Sequence, residues 1–206
     1  AVVWNVGAEW GTTLTAADET NLAAYLDSGK KLFLSAQDYL YERGATSAFD
    51  NNYLKITSFT SDTARTSMTG VAADAISNGM SLTLSFPTGY TNYTDDLVPA
   101  VGATNIFSNN AGTSSAVKIQ SGAYKAVFLA FPFEAIPTAA NPNNRETLMK
   151  KILDWFDGAA PATYSISGVA ADGASNPLAS VTISYTGTAS GSVVTNASGQ
   201  FTISAL

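Results

Sequence analysis

The chain of 206 residues contains no cysteine and no histidine. The absence of cysteine excludes disulfide bonds, zinc–thiolate sites and a thiolate nucleophile. The absence of histidine removes the side chain that most often serves as a general base near neutral pH. The sequence therefore restricts what the protein can catalyse more than it indicates a particular reaction.

Charged residues are also scarce, at 13% of the chain, which is about half the usual share. Ten basic residues stand against sixteen acidic ones, for a net charge of −6. This balance, without a lysine or arginine cluster, argues against nucleic acid and membrane surfaces as partners. No apolar run reaches the roughly 18–20 residues that span a bilayer. An uncharged polar surface of this kind is common in extracellular bacterial proteins, and we expect a secreted protein.

What the chain does have is enough apolar material, 46% of its residues, for one large domain or two modest ones. The composition changes at residues 158–163, a stretch rich in Ala, Gly and Pro. Strand-like and helix-like segments alternate before this stretch, and only strand patterns follow it. We therefore predict a domain over 1–157, a linker at 158–163 and a second module over 164–206.

The beginning of the first domain has the pattern of a parallel crossover unit. A short apolar run over 2–6 ends at Gly7 and fits a buried strand. Thr15 then begins a helix, with Asp18 at the spacing of a capping box. Residues 31–35 form the next apolar strand. Strand, helix and strand within about 35 residues indicate a right-handed crossover.

In the rest of the first domain, short strand-like segments and turns follow one another more closely. Residues from about 53 to 120 are rich in β-branched residues and turns, and we predict an inserted set of short antiparallel strands there. Residues 126–131 form another continuous apolar strand. A second helix is predicted to begin at Asn143 or Asn144 and to end at Gly158.

The segments 2–7, 31–37 and 127–134, with the helices between and after them, resemble class I glutamine amidotransferase-like domains. The likeness is strongest to divergent versions found in large secreted bacterial proteins. It implies an α/β fold, a flavodoxin-like three-layer sandwich, which here would lack its first strands. Active members of the family carry a cysteine nucleophile in a sharp turn after a strand, and a histidine and a glutamate after a later strand.

The positions that match these reactive residues have lost them. The nucleophile position falls on Ala36, or on Ser35 if the register shifts by one residue. Pro132 stands at the histidine position, and Glu134 matches the acid. The resemblance therefore implies a degenerate, noncatalytic domain that uses no cofactor and no metal.

The last segment, residues 164–206, alternates apolar and polar residues between short turns. It resembles part of a carboxypeptidase regulatory-like, prealbumin-type β-sandwich. Three or four strands make about half a sandwich, and residue 1 already lies within an apolar run. We therefore expect an internal part of a longer polypeptide, whose sheet edges are completed by the rest of that polypeptide or by another subunit.

Two loops carry residues suited to binding. Tyr90, Asn92 and Tyr93 combine aromatic rings with a polar amide, a composition suited to stacking on sugars or to contact with a partner protein. Asn92 with Asp95 and Asp96, and the segment 50–52, supply the oxygen ligands that calcium prefers. Neither has the spacing of an EF-hand.

Three functions remain open from the sequence. The leading hypothesis is a noncatalytic accessory region of a larger secreted protein, such as a protease, that acts in spacing, docking or assembly. The alternative is a carbohydrate- or cell-wall-binding module that uses Tyr90 and Tyr93. The third is a hydrolase that works through Glu134 and Asp38, which requires two carboxyl groups within roughly 5–10 Å of each other in one cleft.

Overall fold

The computed structural model describes residues 1–122, 124–158, 164–186 and 190–204. The chain divides into two compact units, Ala1–Ala159 and Ala160–Leu206. The first unit combines a large sheet with helices, whereas the described elements of the second are all strands. Apart from Gly158, the linker that we predicted at 158–163 lies outside the described residues.

The first unit contains three α-helices and nine strands in its described part. The helices are α1 (Ala16–Asp27), α2 (Tyr39–Arg43) and α3 (Arg145–Asp157). The strands are β1 (Val2–Gly7), β2 (Lys31–Ala36), β3 (Ile56–Thr60), β4 (Ser67–Gly70), β5 (Ser81–Thr83), β6 (Asp96–Pro99), β7 (Ala103–Asn109), β8 (Ser114–Ser121) and β9 (Tyr124–Leu129). A π-helical turn (Asp50–Leu54) precedes β3, and a 3-10 turn (Phe133–Ala135) follows β9. Within the described ranges, no helix is both long and apolar enough to cross a membrane.

All nine strands belong to one mixed sheet. Its main path runs β1-β2-β9-β8-β7-β4-β5, and β6 joins β3 to β8 beside this path. The pairs β1–β2 and β2–β9 are parallel. Every other pairing between the described strands of this sheet is antiparallel. The first unit is therefore mostly β, with a short parallel part at one side.

This topology corrects the predicted fold class. A flavodoxin-like three-layer α/β sandwich is wrong, because such a fold needs a parallel sheet covered by helices on both faces. The strands of segment 53–120 lie between β2 and β9 in sequence and continue the same sheet. Six residue pairs join β8 to β9, from Ala116 opposite Leu129 to Ser121 opposite Tyr124. Alternation along the sequence identified these strands but not the strands with which they pair.

The predicted helix ends are confirmed. Asp18 N–H donates to Thr15 Oγ1 at 3.2 Å, and the Asp18 carboxylate accepts from Thr15 N–H at 2.9 Å, which completes the capping box of α1. Asn144 caps α3 by accepting from Thr147 N–H at 2.9 Å. Gly158 ends α3 in the left-handed conformation, with φ +73°, which glycine adopts without steric cost.

The core lies on the two faces of the sheet, and β2 contributes to both. Leu32 and Leu34 pack into one apolar cluster with Leu22 of α1. Phe33, between them in sequence, packs into the other cluster with Ile152 of α3. Successive residues of a strand point to opposite faces, so a continuous apolar run is buried on both sides. Each of these side chains contributes about 1.5–3 kcal/mol by burial.

The described part of the second unit forms two small antiparallel sheets. Strand β10 (Ile166–Val169) pairs with β13 (Gln200–Ile203), and β11 (Thr182–Tyr185) pairs with β12 (Gly191–Val194). Several of its apolar side chains remain exposed, among them Ile166, Val169 and Val194.

Candidate functional site

A pocket of about 270 Å³ opens near the end of β2 and is lined by Trp10, Asp38, Tyr41, Asp62 and Tyr93. We call it the Trp10 pocket. Trp10, Tyr41 and Tyr93 keep 66%, 59% and 39% of their surface exposed. Three exposed aromatic side chains around a single pocket make it the candidate binding site.

The loop that carries Trp10 is held at both ends. Glu9 Oε1 accepts hydrogen bonds from two backbone N–H groups of the same loop, at 2.9 and 3.2 Å. Thr13 donates from its N–H and its hydroxyl to Glu42 Oε2, at 2.8 and 2.6 Å. Because Glu42 follows Tyr41 in α2, this contact ties the Trp10 loop to the helix that carries Tyr41.

Tyr41 is presented by α2, which is anchored through its other face. The hydroxyl of the buried Tyr39 donates to Glu19 Oε1 at 3.0 Å. The Tyr39 ring meets Phe128 edge to face, with ring centroids 6.0 Å apart. These buried contacts fix the short helix and leave Tyr41 directed to solvent.

Asp38 immediately precedes α2, at the position where an aspartate usually caps a helix. Within residues 1–122 of the described chain, its side chain makes no capping hydrogen bond. Asp38 is only 3% exposed, and its Oδ2 has no hydrogen-bond partner among the described residues. Burial raises the pKa of Asp38 to about 6, Gln37 partly opposes this by a hydrogen bond, and the Asp62 charge raises the pKa further. The carboxylate is therefore ionised near neutral pH, and no capping hydrogen bond within the described residues stabilises its charge.

Asp62 lies on a loop that is fixed to the chain segment before β6. Its backbone N–H donates to Asp95 Oδ1 at 3.2 Å. The next residue, Thr63, donates from its N–H to Thr94 O at 2.9 Å. Asp62 has φ +57°, a conformation that aspartate tolerates better than most residues. These contacts hold the exposed Asp62 carboxylate beside Asp38.

Gln37 holds Tyr93 in place. This buried side chain accepts a hydrogen bond from Tyr93 N–H at 3.1 Å and donates to Thr91 O at 3.2 Å. The loop before β6 is thereby attached to the residue that follows β2. Tyr93 is the one predicted ligand-binding residue that lines the Trp10 pocket.

The other two predicted ligand-binding residues serve the loop itself. Asn92 donates from Nδ2 to Arg65 O at 2.9 Å, and its Oδ1 accepts from the Thr94 hydroxyl at 2.6 Å. Tyr90 lies against Gly7, where an added Cβ would come within 2.9 Å of the Tyr90 hydroxyl. Neither is among the described residues that line the Trp10 pocket.

The calcium ligands proposed from the sequence are engaged with protein groups. Arg65 Nε donates to Asp96 Oδ1 at 2.9 Å. Asp95 is 1% exposed, and its pKa is raised to about 8 by burial and by the charges of Asp38, Asp62 and Asp96, against a hydrogen bond from the Asp62 N–H. Asp95 is therefore largely protonated at neutral pH and is a poor cation ligand. The described part of the chain contains no group of three or more acidic side chains suited to a metal ion.

The segment 50–52, the second predicted calcium site, lies in the π-helical turn before β3. Asp50 is buried there and accepts a hydrogen bond from the Ser47 hydroxyl at 2.7 Å. This contact is local and structural.

The positions identified as degenerate lie where β2 and β9 end. Ser35 Oγ donates to Phe131 O at 3.0 Å and accepts from Phe133 N–H at 2.8 Å. Ser35 is fully buried, and Ala36 and Pro132 are buried as well. The hydroxyl of Ser35 therefore joins two chain segments and is not presented to a substrate.

Glu134 and Asp38 do not meet in the Trp10 pocket. The Asn5 side chain donates to Glu134 Oε1, and Arg145 donates to the Glu134 backbone carbonyl at 2.9 Å. Of the described residues, the two carboxylates that line the pocket are Asp38 and Asp62.

Sequence reasoning missed Trp10, Tyr41 and Asp62. Trp10 could have been found from its position between polar residues in a loop bounded by Gly7 and Gly11, where a tryptophan has little core to enter. Tyr41 follows the buried Tyr39 and Leu40 on a short helix, and nothing in its spacing marked it as exposed.

No family model and no curated protein matches the chain. The N-terminal domain of mmIFT52 resembles it with a TM-score of 0.48 and 14% identity, over 69% of this chain and 72% of that one. The exo-β-1,4-mannosidase Op5Man5 from Opitutaceae bacterium strain TAV5 resembles it with a TM-score of 0.42 and 14% identity, over 71% of this chain and 24% of that one. A β-galactosidase from the Antarctic haloarchaeon Halorubrum lacusprofundi resembles it with a TM-score of 0.45 and 11% identity, over 96% of this chain and 30% of that one.

The chain thus spans less than a third of either glycosidase. At these identities and TM-scores, no argument about function rests on the likenesses. The sheet is mostly antiparallel and not of the flavodoxin type, and no family model supports the resemblance. The predicted membership of the amidotransferase-like family is therefore wrong. The predicted carboxypeptidase regulatory-like module also finds no family match.

Proposed function

We propose that the first unit is a noncatalytic accessory region that binds glycans in the Trp10 pocket. The observation that carries this proposal is the exposure of Trp10, Tyr41 and Tyr93 around one concave site. The flat apolar faces of sugar rings pack on aromatic side chains, and carboxylates accept hydrogen bonds from sugar hydroxyls. A volume of about 270 Å³ lies just below the roughly 300–1,000 Å³ of drug-sized pockets, which suits a single ring.

The rigidity of the walls supports this role. The Trp10 loop is fixed by Glu9 and Glu42, and the Tyr93 loop is fixed by Gln37. A site whose loops are held in place before binding loses less conformational entropy when a ligand enters. Aromatic side chains add contact area at low entropic cost, because each has only two side-chain torsions.

Isothermal titration calorimetry with a panel of oligosaccharide hexamers tests the proposal. The panel contains neutral hexamers of glucose, mannose and N-acetylglucosamine, the cationic glucosamine hexamer and the anionic galacturonic acid hexamer. We expect at least one to bind, and Trp10→Ala and Tyr41→Ala each to weaken that binding by about tenfold, or 1.4 kcal/mol.

Tyr164→Ala is the matched control, because Tyr164 belongs to the second unit and is 69% exposed. It should leave the affinity unchanged. Absence of binding to every hexamer, or an equal loss with Tyr164→Ala, would refute the glycan-binding role.

The hydrolase hypothesis is separated from binding by a second readout on the same samples. Asp38, with its pKa near 6, and Asp62 are the only carboxylates of the described residues that line the pocket. Release of reducing ends that is abolished by Asp38→Asn would show catalysis and contradict the noncatalytic role. The extracellular location and the attachment to a larger protein remain predictions.

A further inference from the structure

The Trp10 pocket is acidic. Asp38 and Asp62 line it, and no lysine or arginine does so in the described part of the chain. Asp95 lies behind them and is linked to the Asp62 backbone at 3.2 Å. Two carboxylates at one aromatic site, without a neighbouring cation of the protein, favour a positively charged ligand.

Asp38 provides an independent sign of a missing partner. Its Oδ2 is buried and accepts no hydrogen bond from any described residue. Leaving a buried acceptor unpaired costs about 1–3 kcal/mol, and more when the group is charged. A cationic hydrogen-bond donor on a ligand would remove this cost, whereas a neutral hydroxyl would leave the charge uncompensated.

The aromatic walls act in the same direction. The faces of tryptophan and tyrosine attract cations through the negative potential above the ring. Trp10, Tyr41 and Tyr93 therefore favour an ammonium group in the same place as the two carboxylates do. A metal ion is a poorer fit, because calcium takes six to eight oxygen ligands, and the described chain offers no group of three acidic side chains arranged for one.

We propose that the Trp10 pocket selects glycans that carry a protonated primary amine, that is, 2-amino-2-deoxy sugar units. The ammonium group binds between Asp38 and Asp62, and the sugar ring packs on the aromatic walls. This inference rests on the proposed function, because it assigns the class of glycan that the same pocket takes.

The test compares two hexamers that differ in charge at the same position, glucosamine and N-acetylglucosamine, by calorimetry with the whole chain near neutral pH. We expect the glucosamine hexamer to bind at least about tenfold tighter, and this advantage to shrink with added salt. Choline provides a cation without a sugar ring. It should bind more weakly than the glucosamine hexamer, and equal or tighter binding of choline would refute the assignment.

Asp62→Asn is the diagnostic variant. Asp62 is exposed and has φ +57°, and asparagine tolerates this backbone conformation as well as aspartate does. The substitution therefore removes charge without disturbing the loop, and it should bring the two hexamers to within about threefold of each other. Glu146→Gln is the control, because it removes one negative charge from the exposed first turn of α3.

The outcomes distinguish the two proposals. If both hexamers bind equally and Trp10→Ala weakens both, selection for an amine is refuted while glycan binding stands. If no hexamer binds, both proposals fail. If Glu146→Gln reduces the preference as much as Asp62→Asn does, the preference reflects net charge and the pocket assignment is refuted.

Discussion

The buried carboxylate of Asp95 accepts a hydrogen bond from the backbone N–H of Asp62, at 3.2 Å. One acidic residue thereby positions another that lines the Trp10 pocket. The second oxygen of Asp95, Oδ2, has no partner among the described residues. Asp95 is thus a structural support that is itself sensitive to pH.

The first prediction concerns stability against pH. Burial raises the pKa of Asp95 to about 8 and that of Asp38 to about 6, from an ordinary value of 3.8. At a pH between the ordinary pKa and the raised one, the folded protein keeps a proton that the unfolded chain has released. The free energy of unfolding therefore falls as the pH rises from about 4 to 8. Asp95→Asn should therefore stabilise the protein by about 1–3 kcal/mol at pH 8 and have little effect at pH 4.

Urea unfolding followed by tryptophan fluorescence measures this effect. Trp4, Trp10 and Trp155 are the three tryptophans of the chain, and all lie in the first unit, so the signal follows that unit. Glu146→Gln is an exposed control that should retain the pH dependence of the original protein. An unchanged pH dependence in Asp95→Asn would show that Asp95 is not the group responsible.

The second prediction concerns Ser35, whose hydroxyl bonds to Phe131 O and Phe133 N–H. Ser35→Ala removes the hydrogen-bond partner of both backbone groups and should lower the free energy of unfolding by about 2–4 kcal/mol. Ser28→Ala removes one exposed hydroxyl contact, to Tyr25 O, and should cost less than about 1 kcal/mol. Equal losses in the two variants would contradict the role of Ser35 in joining the strand ends.

The third prediction concerns Gln37 as a positioning residue. Gln37→Met keeps the length of the side chain but removes the acceptor of the Tyr93 N–H, a bond of 3.1 Å. Hydrogen exchange at the Tyr93 amide should become at least about tenfold faster. The Asp95 amide, which donates to Ala130 O at 3.1 Å, should keep its protection. Unchanged exchange at Tyr93 would mean that another contact holds this loop.

The fourth prediction concerns the close packing at Gly70 in β4. A Cβ there would lie 1.8 Å from the backbone oxygen of Ser77, so the chain must shift to admit it. Gly70→Ala should cost about 3 kcal/mol or more. Gly79→Ala, with φ +75° and no atom within 4 Å of the added Cβ, should cost about 1–2 kcal/mol. A reversal of this order in urea unfolding would contradict the packing described.

The sequence predicted well what neighbouring residues determine. Thr15 and Asp18 lie three residues apart and bond to each other, and the ends of α3 are capped by Asn144 and Gly158. The sheet was predicted wrongly because the partner of a strand depends on distant residues. Nothing in the pattern of β8 shows that it pairs with β9 and not with a strand of a separate insertion.

The Trp10 pocket shows the same limit. Its lining comes from four separate segments, and the bonds that assemble them join residues far apart in sequence, such as Thr13 with Glu42. Tyr93 was identified because an aromatic residue in a polar loop is a local signal. The unpaired oxygen of Asp38 was not, because only the folded chain shows that the usual capping bond is missing.

Glu42 contacts Thr13 with a single carboxylate oxygen, and this contact spans the gap between the loop of Trp10 and the helix of Tyr41. Glu42 itself is not among the described residues that line the Trp10 pocket, yet it connects two of the segments that do. Shortening its side chain by one methylene, as in Glu42→Asp, should change the spacing between the Trp10 loop and α2 without replacing any of the aromatic residues of the pocket.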